Sequence, residues 1–340
     1  MWQALAAEAC VTSRVLMLTS PRSGSSWLMS LVADRTRDSV LPLFELLNPG
    51  FPLAHLNIFD PSLFKLVKGA LSAAFLAPLY AEGSEMHDRL ARGDLNAVRD
   101  SSSSPNKTLH LGVKIAENVG ATLQIVEGCA RRLGRRAILL KVMLDVVHDR
   151  SFKAWVESAS TEECTTLLFL QRNFFFIFSS LYKVDECEGG DFRVANYTEC
   201  RPEVRLTQLE YFFTQHLALV AFIRGLVGDE VLRPPFARAA TPRRAGAVAV
   251  AYEEVSSLED DAAADLVFER LRIAGSDVRP SREKMAGNST YMVQDSSGTL
   301  AARVANYDEV RALYERKLVH LCTPLFGHNC TKEPIFEFPA

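Results

Sequence analysis

The chain has 340 residues, of which 48% are hydrophobic and 23% are charged, a composition that is typical of a globular protein and excludes a largely disordered one. Its formal net charge is −3, so nothing in the overall charge attracts nucleic acid, and any bound anion must be held by a local site. The sequence has no run of about 18 uninterrupted apolar residues, which predicts that no helix spans a membrane.

The first predicted element is a strand that runs into a loop of small polar residues. Residues 14–19 read RVLMLT, and the loop that follows leads into the helix-compatible sequence WLMSLVADRTR. At such a junction the unpaired N–H groups of the first helical turn and the positive end of the helix dipole favour a bound phosphate. Gly24 lets the backbone approach that group, and Arg22 supplies a fixed positive charge. The loop is therefore predicted to be an anion site.

Two other interpretations of this loop stay open. The P-loop of nucleoside triphosphatases needs Gly-x-x-x-x-Gly-Lys-Ser/Thr, whereas here Gly24 is followed by Ser25 and the lysine is absent. A serine-rich helix cap without a ligand would explain Ser23 or Ser25, but not an arginine, a glycine and three serines so close together.

The rest of the chain alternates between predicted helices and strands. Strands are predicted at residues 136–142, 165–171 and 247–252. Helices are predicted at residues 61–80, 82–98, 152–158, 173–183, 203–226, 257–273 and 306–319. This alternation predicts an α/β fold with a parallel sheet flanked by helices, in a single domain that spans residues 1–340.

The segment TSPRSGSSWL, residues 19–28, resembles the 5′-phosphosulfate loop of sulfotransferases, enzymes that transfer a sulfuryl group from 3′-phosphoadenosine 5′-phosphosulfate (PAPS). The resemblance implies a P-loop-like sulfotransferase fold, with three layers and helical insertions. It also implies that PAPS is bound by Arg22, Ser23, Gly24, Ser25, Ser26 and Trp27. In this family the arginine touches the oxygen that bridges phosphorus and sulfur, so Arg22 is expected to stabilise the charge that gathers on the departing phosphate.

The same family binds the 3′-phosphate with an arginine at a strand end and a serine farther along. Here the predicted strand at 165–171 is followed by Arg172, and Ser180 lies eight positions later. Two helical turns span about 7.2 residues, so a helix would bring Ser180 back to the face of Arg172. The alternative is a surface arginine and a serine bonded to its own backbone. Sulfotransferases often have more basic residues in this helix, whereas this chain has phenylalanines, which predict a buried helix or a partner contact; these are Phe174, Phe175, Phe176 and Phe178.

Attack on sulfur by a hydroxyl requires a base. The segment PLFELLNP, residues 42–49, resembles the Glu-x-Phe-Asn-Pro element of carbohydrate sulfotransferases, which implies that Glu45 is this base. His148 is the alternative, because other branches of the family use histidine. Lys114 in HLGVKIAEN and Lys141 in ILLKVMLD both resemble a lysine-bearing strand end of the family, and either could support the leaving group, Lys141 being nearer Arg172 in sequence.

Two softer resemblances extend toward the C-terminus. The segment AYEEV, residues 251–255, resembles the Tyr-Glu-x-Leu strand end of sulfotransferases, and VANYDEVRALYERK, residues 304–317, resembles a segment that closes carbohydrate or Stf0-like members. Together the resemblances place the core of the domain at residues 14–317, with a short tail at 318–340.

The seven cysteines are an odd number, so at least one is not paired within the chain. Cys187 with Cys200, and Cys322 with Cys330, have spacings that a disulfide could close. Four glycosylation sequons add to them, at Asn106, Asn196, Asn288 and Asn329. These features favour the secretory lumen, with reduced thiols in the cytosol as the alternative. The N-terminus has no signal-peptide pattern, so a secretory protein would need residues upstream.

The resemblance implies transfer from PAPS, used as a co-substrate without a metal, to a hydroxyl or amine acceptor, either a carbohydrate or a small alcohol or phenol. The scattered histidines and the lack of Cys-x-x-Cys also predict no metal site. Two alternatives remain: a catalytically silent nucleotide-binding protein of the same fold, and a nucleotide kinase.

Overall fold

The computed structural model of the protein describes residues 12–20, 23–36, 39–47, 56–57, 60–94, 97, 107–143, 150–162, 164–187, 200–228, 246–273 and 299–339. Two of the predicted site residues, Arg22 and His148, lie outside these ranges.

Five parallel strands form a sheet in the order β2-β3-β1-β4-β5. The strands are β1 (Ser13–Thr19), β2 (Val40–Pro42), β3 (Ala137–Met143), β4 (Thr165–Gln171) and β5 (Ala247–Ala251). They are almost continuously buried apolar runs, as expected for parallel strands that are covered on both faces. The predicted α/β class with a parallel sheet is confirmed, and the arrangement is consistent with three layers.

Helices connect the strands and make up most of the ordered structure. They are α1 (Ser25–Arg35), α2 (Pro61–Phe75), α3 (Glu85–Ala91), α4 (Lys107–Glu117), α5 (Val119–Arg132), α6 (Arg150–Ala159), α7 (Phe174–Cys187), α8 (Leu206–Val227), α9 (Tyr252–Ser256), α10 (Asp260–Ile273), α11 (Leu300–Arg303) and α12 (Tyr307–Leu313). A π-helical turn, Tyr314–Leu318, and short helical turns follow α12.

Some elements differ from the sequence prediction. Helix α4 was not predicted, because the apolar run around Lys114 looked like the end of a strand, and helix α5 was missed as well. Strand β2 was also missed, since three residues are too few to show a period. Helix α3 is shorter than predicted, because Gly93 takes the left-handed conformation at φ +73° just after its end.

The connections of the sheet define where a ligand would bind. The chain leaves β1 toward β2 on one side, and it leaves β4 toward β5 on the other side. The carboxyl ends of these two adjacent strands therefore flank a topological switch point, which is the usual ligand crevice of an open α/β sheet.

A second hydrophobic cluster is built from α7, α8 and the C-terminal segment. Phe174, Phe175 and Phe178 are buried in it, which confirms the prediction of a buried helix. The predicted tail contributes as well, because Leu318 and Phe336 are fully buried in the same cluster.

His216, on α8, gives this cluster a pH dependence. The partly buried imidazole lies against the rings of Phe174 and Phe336, with ring centroids 5.5 and 5.6 Å away, and burial lowers its pKa from 6.5 to about 4. The folded state therefore binds fewer protons than the unfolded state between these values, so stability is lost as the pH falls from 6.5 toward 4, by at most about 3 kcal/mol. We expect the urea midpoint to fall less between pH 7 and pH 4.5 in His216→Gln than in the wild type. Equal falls would contradict this role of His216.

One described segment is long and apolar enough to cross a membrane by length and composition. It is Pro61–Leu79, which contains α2 and has a mean hydropathy of 1.4. Lys65 and Lys68 interrupt its apolar run, so the segment does not meet the criterion of uninterrupted apolar residues that the sequence analysis used. Leu63 and Leu71 of the same helix are buried in the main core.

Disulfides join the two cysteine pairs that the sequence spacing suggested, Cys187–Cys200 and Cys322–Cys330. Cys129 carries a free, buried thiol whose pKa burial raises. The two disulfides are compatible with an oxidising compartment. Of the predicted glycosylation sites, Asn329 lies in the described part of the chain and the other three lie outside it.

Candidate functional site

The predicted site residues that the structure describes, apart from Ser180 on α7, lie at the carboxyl edge of the sheet. Each strand contributes to it, through Ser23–Trp27 after β1, Glu45 after β2, Lys141 in β3, Arg172 after β4 and Tyr252 after β5. Residues that lie far apart in sequence are therefore brought to one edge because the strands are parallel.

The loop after β1 has the backbone geometry of an anion site. Gly24 takes the left-handed conformation at φ +81° and precedes the first residue of α1. The first intrahelical bond runs from Leu28 N–H to the carbonyl of Gly24 at 3.1 Å. The N–H groups of residues 25–27 come before that bond, so the helix itself offers them no acceptor. They are the groups to which a phosphate would bind.

The side chain of Ser23 is engaged within the loop. It is fully buried, and its hydroxyl is hydrogen-bonded to the hydroxyl of Thr19. The bond ties the loop back to the last residue of β1. We infer that the Ser23 side chain holds the shape of the loop, and that the more accessible Ser26 is better placed to meet a ligand.

Tyr252 fills the space beside the loop. A Cβ added to Gly24 would lie 1.9 Å from Cε2 of Tyr252, so any other residue at position 24 would collide with the ring. Tyr252 also makes an edge-to-face contact with Trp27, with ring centroids 6.0 Å apart. Sequence reasoning noted that Tyr252 follows β5 in AYEEV, but it did not reveal that the ring packs on the loop.

A buried ion pair joins the first three strands at this edge. Lys141 Nζ donates to Glu45 Oε1 at 2.6 Å and to Ser26 Oγ at 2.9 Å. The lysine side chain is 4% exposed and the glutamate side chain 14% exposed. The lysine backbone N–H donates to the carbonyl of Phe44, a residue with a positive φ of 24° that turns the chain before Glu45.

The sequence left open whether Lys114 or Lys141 lies at a strand end of the site. Lys114 lies on helix α4, not at a strand end, and pairs with Glu117 at 2.8 Å on the surface. Lys141 is the lysine that the structure places at the carboxyl edge, inside β3 and beside Ser26.

Arg172 lies on the opposite side of the central strand from Lys141. Its guanidinium is 4.4 Å from the centre of the Tyr252 ring, in a cation–π contact. Arg172 is 6% exposed, so it is not the surface arginine of the alternative interpretation, and Ser180 on α7 is 4% exposed. Tyr252 thus touches both the loop after β1 and the arginine after β4.

The described part of this edge carries two buried cations, Lys141 and Arg172. The carboxylate of Glu45 is bonded to Lys141, and that of Glu253 accepts the backbone N–H of the residue after Arg172. This arrangement suits a ligand with more than one negative group, held at separate places along the edge. Among the described residues, no group of three or more histidine, cysteine, aspartate or glutamate side chains is arranged to hold a metal ion.

Comparison of the chain with models of known protein families and with curated proteins gives no match.

Proposed function

We propose that this protein is a sulfotransferase that moves the sulfuryl group of PAPS to a hydroxyl acceptor, in a P-loop-like sulfotransferase fold. The main support is that one sheet edge holds a loop at Gly24 with the backbone geometry of an anion site, a lysine–glutamate pair at Lys141 and Glu45, and a buried arginine at Arg172. The loop motif of residues 19–28 agrees with this assignment, and the parallel sheet flanked by helices is compatible with it.

In the proposed reaction, Glu45 accepts the proton of the acceptor hydroxyl as its oxygen attacks sulfur. The bond from sulfur to the bridging oxygen breaks, and its electron pair leaves with the 5′-phosphate of adenosine 3′,5′-bisphosphate. Lys141 and the N–H groups of residues 25–27 stabilise the charge on that phosphate, and Arg22 is expected to do the same. Arg172 and Ser180 hold the 3′-phosphate and so fix the direction of transfer.

The ion pair has a part in this mechanism. Lys141 contacts both Glu45 and Ser26, so it links the proposed base to the loop that holds the leaving group. An ammonium group in this position orients the carboxylate before the acceptor arrives and lies close to the oxygen on which charge develops.

The acceptor class and the compartment are also part of the proposal. The resemblance around Glu45 to carbohydrate sulfotransferases favours a carbohydrate hydroxyl. The two disulfides favour an oxidising lumen.

A catalytically silent nucleotide-binding protein of the same fold is the second candidate. The observation that favours it is the ion pair itself, because Glu45 is already engaged by Lys141 at 2.6 Å. Such a protein would bind adenosine 3′,5′-bisphosphate and transfer nothing.

The test is transfer from ³⁵S-labelled PAPS to a panel of oligosaccharides and phenols, by the wild type and by Glu45→Gln. The glutamine keeps an oxygen that can accept the bond from Lys141, so we expect nucleotide binding to persist. Loss of the base is expected to slow transfer by about 10²–10⁴-fold.

Glu117→Gln is the matched control, because it removes a surface carboxylate that also pairs with a lysine. It should transfer at the wild-type rate. Binding without transfer to any acceptor would favour the silent protein, and magnesium-dependent hydrolysis of ATP would indicate a kinase instead.

A further inference from the structure

Asn173, the residue after Arg172, joins three separate segments of the chain. Its side-chain amide donates to the carbonyls of Pro334 and Glu337 at 2.9 and 2.8 Å. Its side-chain oxygen accepts the N–H of Phe175 at 3.0 Å and so caps α7. Each polar atom of this side chain is therefore used within the protein.

The C-terminal segment that Asn173 holds is itself anchored. Ile335 and Phe336 are buried in the second hydrophobic cluster, and the carbonyl of Ile335 accepts the N–H of Phe174 at 2.7 Å. The Cys322–Cys330 disulfide closes the chain just before this segment. The two carbonyls that meet Asn173 are therefore presented by a packed and cross-linked part of the chain.

The backbone of Asn173 completes a ring of contacts around Arg172. Its N–H donates to Oε1 of Glu253 at 3.0 Å, and Glu253 directly follows Tyr252. The guanidinium of Arg172 in turn lies on the ring of Tyr252. The ring of contacts thus consists of two peptide bonds, Arg172–Asn173 and Tyr252–Glu253, and two noncovalent contacts, between Asn173 and Glu253 and between Arg172 and Tyr252.

The first N–H groups of α7 are consumed by this arrangement. Those of Asn173, Phe174 and Phe175 donate to Glu253, to the Ile335 carbonyl and to the Asn173 side chain. Unlike α1, helix α7 does not offer these groups to a phosphate. With these three N–H groups engaged, the position at which the guanidinium of Arg172 is held matters more for recognition of an anion after β4.

We propose that Asn173 is a positioning residue, which fixes Arg172 on Tyr252 by locking the chain after β4 to the C-terminal segment. Asn173 thereby sets the affinity for the 3′-phosphate of the nucleotide, without touching that phosphate. The inference rests on the proposed function, because it takes Arg172 to be a ligand of the 3′-phosphate.

The test compares Asn173→Ser with Asn306→Ser. Serine keeps a helix cap but is too short to reach the two carbonyls. Asn306 is a matched control, because it likewise bonds a distant segment, accepting from Val204 N–H at 2.8 Å and donating to its carbonyl at 2.9 Å. Both variants should lose similar stability in thermal unfolding.

The readout is the preference for adenosine 3′,5′-bisphosphate over adenosine 5′-monophosphate, measured by calorimetric titration of the full chain. We expect this preference to fall at least tenfold in Asn173→Ser and to stay at the wild-type value in Asn306→Ser. A preference kept in Asn173→Ser overturns the positioning role and leaves the proposed function standing. A wild type that shows no preference for the bisphosphate overturns the proposed function and the positioning role together.

Discussion

Replacement of Gly24 by alanine is expected to abolish nucleotide binding and to destabilise the fold by about 2–5 kcal/mol. The left-handed conformation at φ +81° costs an L-residue about 1–2 kcal/mol. The added Cβ would also lie 1.9 Å from the ring of Tyr252, and overpacking of this kind typically costs about 1–3 kcal/mol. The Tyr252 ring packs against Trp27 and the guanidinium of Arg172, so a shift of the ring would disturb both proposed phosphate sites.

Gly134→Ala is the control that separates the cost of backbone strain from the cost of a steric clash. Gly134 has a similar φ of +69°, but a Cβ there would meet nothing within 4 Å. We expect this variant to lose only about 1–2 kcal/mol and to bind nucleotide normally. The measurements are urea unfolding and calorimetric titration with adenosine 3′,5′-bisphosphate. Equal losses in the two variants would mean that the contact between Gly24 and Tyr252 has no special importance.

Replacement of Lys141 by methionine is expected to lower both the stability of the protein and its rate of transfer. It leaves the carboxylate of Glu45 at the sheet edge without its ammonium partner, and it removes the bond to Ser26 Oγ. Breaking a buried ion pair costs about 3–5 kcal/mol, and the partial exposure of Glu45 places the expected loss near the lower value. Transfer should fall as well, because the leaving phosphate loses a cation.

Lys114→Met is the control for this prediction. The pair of Lys114 with Glu117 is exposed on both sides, so its loss should change the free energy of unfolding by less than about 1 kcal/mol. A second test is the double variant Lys141→Met with Glu45→Gln, which removes the uncompensated charge and should regain part of the stability but none of the transfer. If Lys141→Met is as stable as Lys114→Met, the ion pair is not a structural element of the site.

The sequence predicted those parts of the site that are contiguous. The loop of residues 19–28 contains its own strand end, glycine and helix start, so its geometry follows from local rules. The strands predicted at 136–142 and 165–171 were also evident, because apolar runs bounded by polar residues are a local signal, and the structure has them at Ala137–Met143 and Thr165–Gln171.

The contacts between residues that lie far apart in the sequence could not be predicted from local signals. Glu45 and Lys141 are 96 positions apart, and Asn173 and Pro334 are 161 positions apart. Nothing local to either residue of such a pair specifies the other. The order of the strands decides which residues meet, and that order results from packing of the whole sheet.

The most direct test of the proposed function is calorimetric titration with adenosine 3′,5′-bisphosphate of the wild type and of Arg172→Ala, with ATP and magnesium as the comparison ligand. We expect the wild type to bind the bisphosphate in preference to ATP. Arg172→Ala should bind it at least tenfold more weakly, since a hydrogen bond to a charged group contributes about 1.5–3 kcal/mol. Failure of the folded wild type to bind the bisphosphate would contradict the assignment and leave the loop at Gly24 as a general anion site or a helix cap.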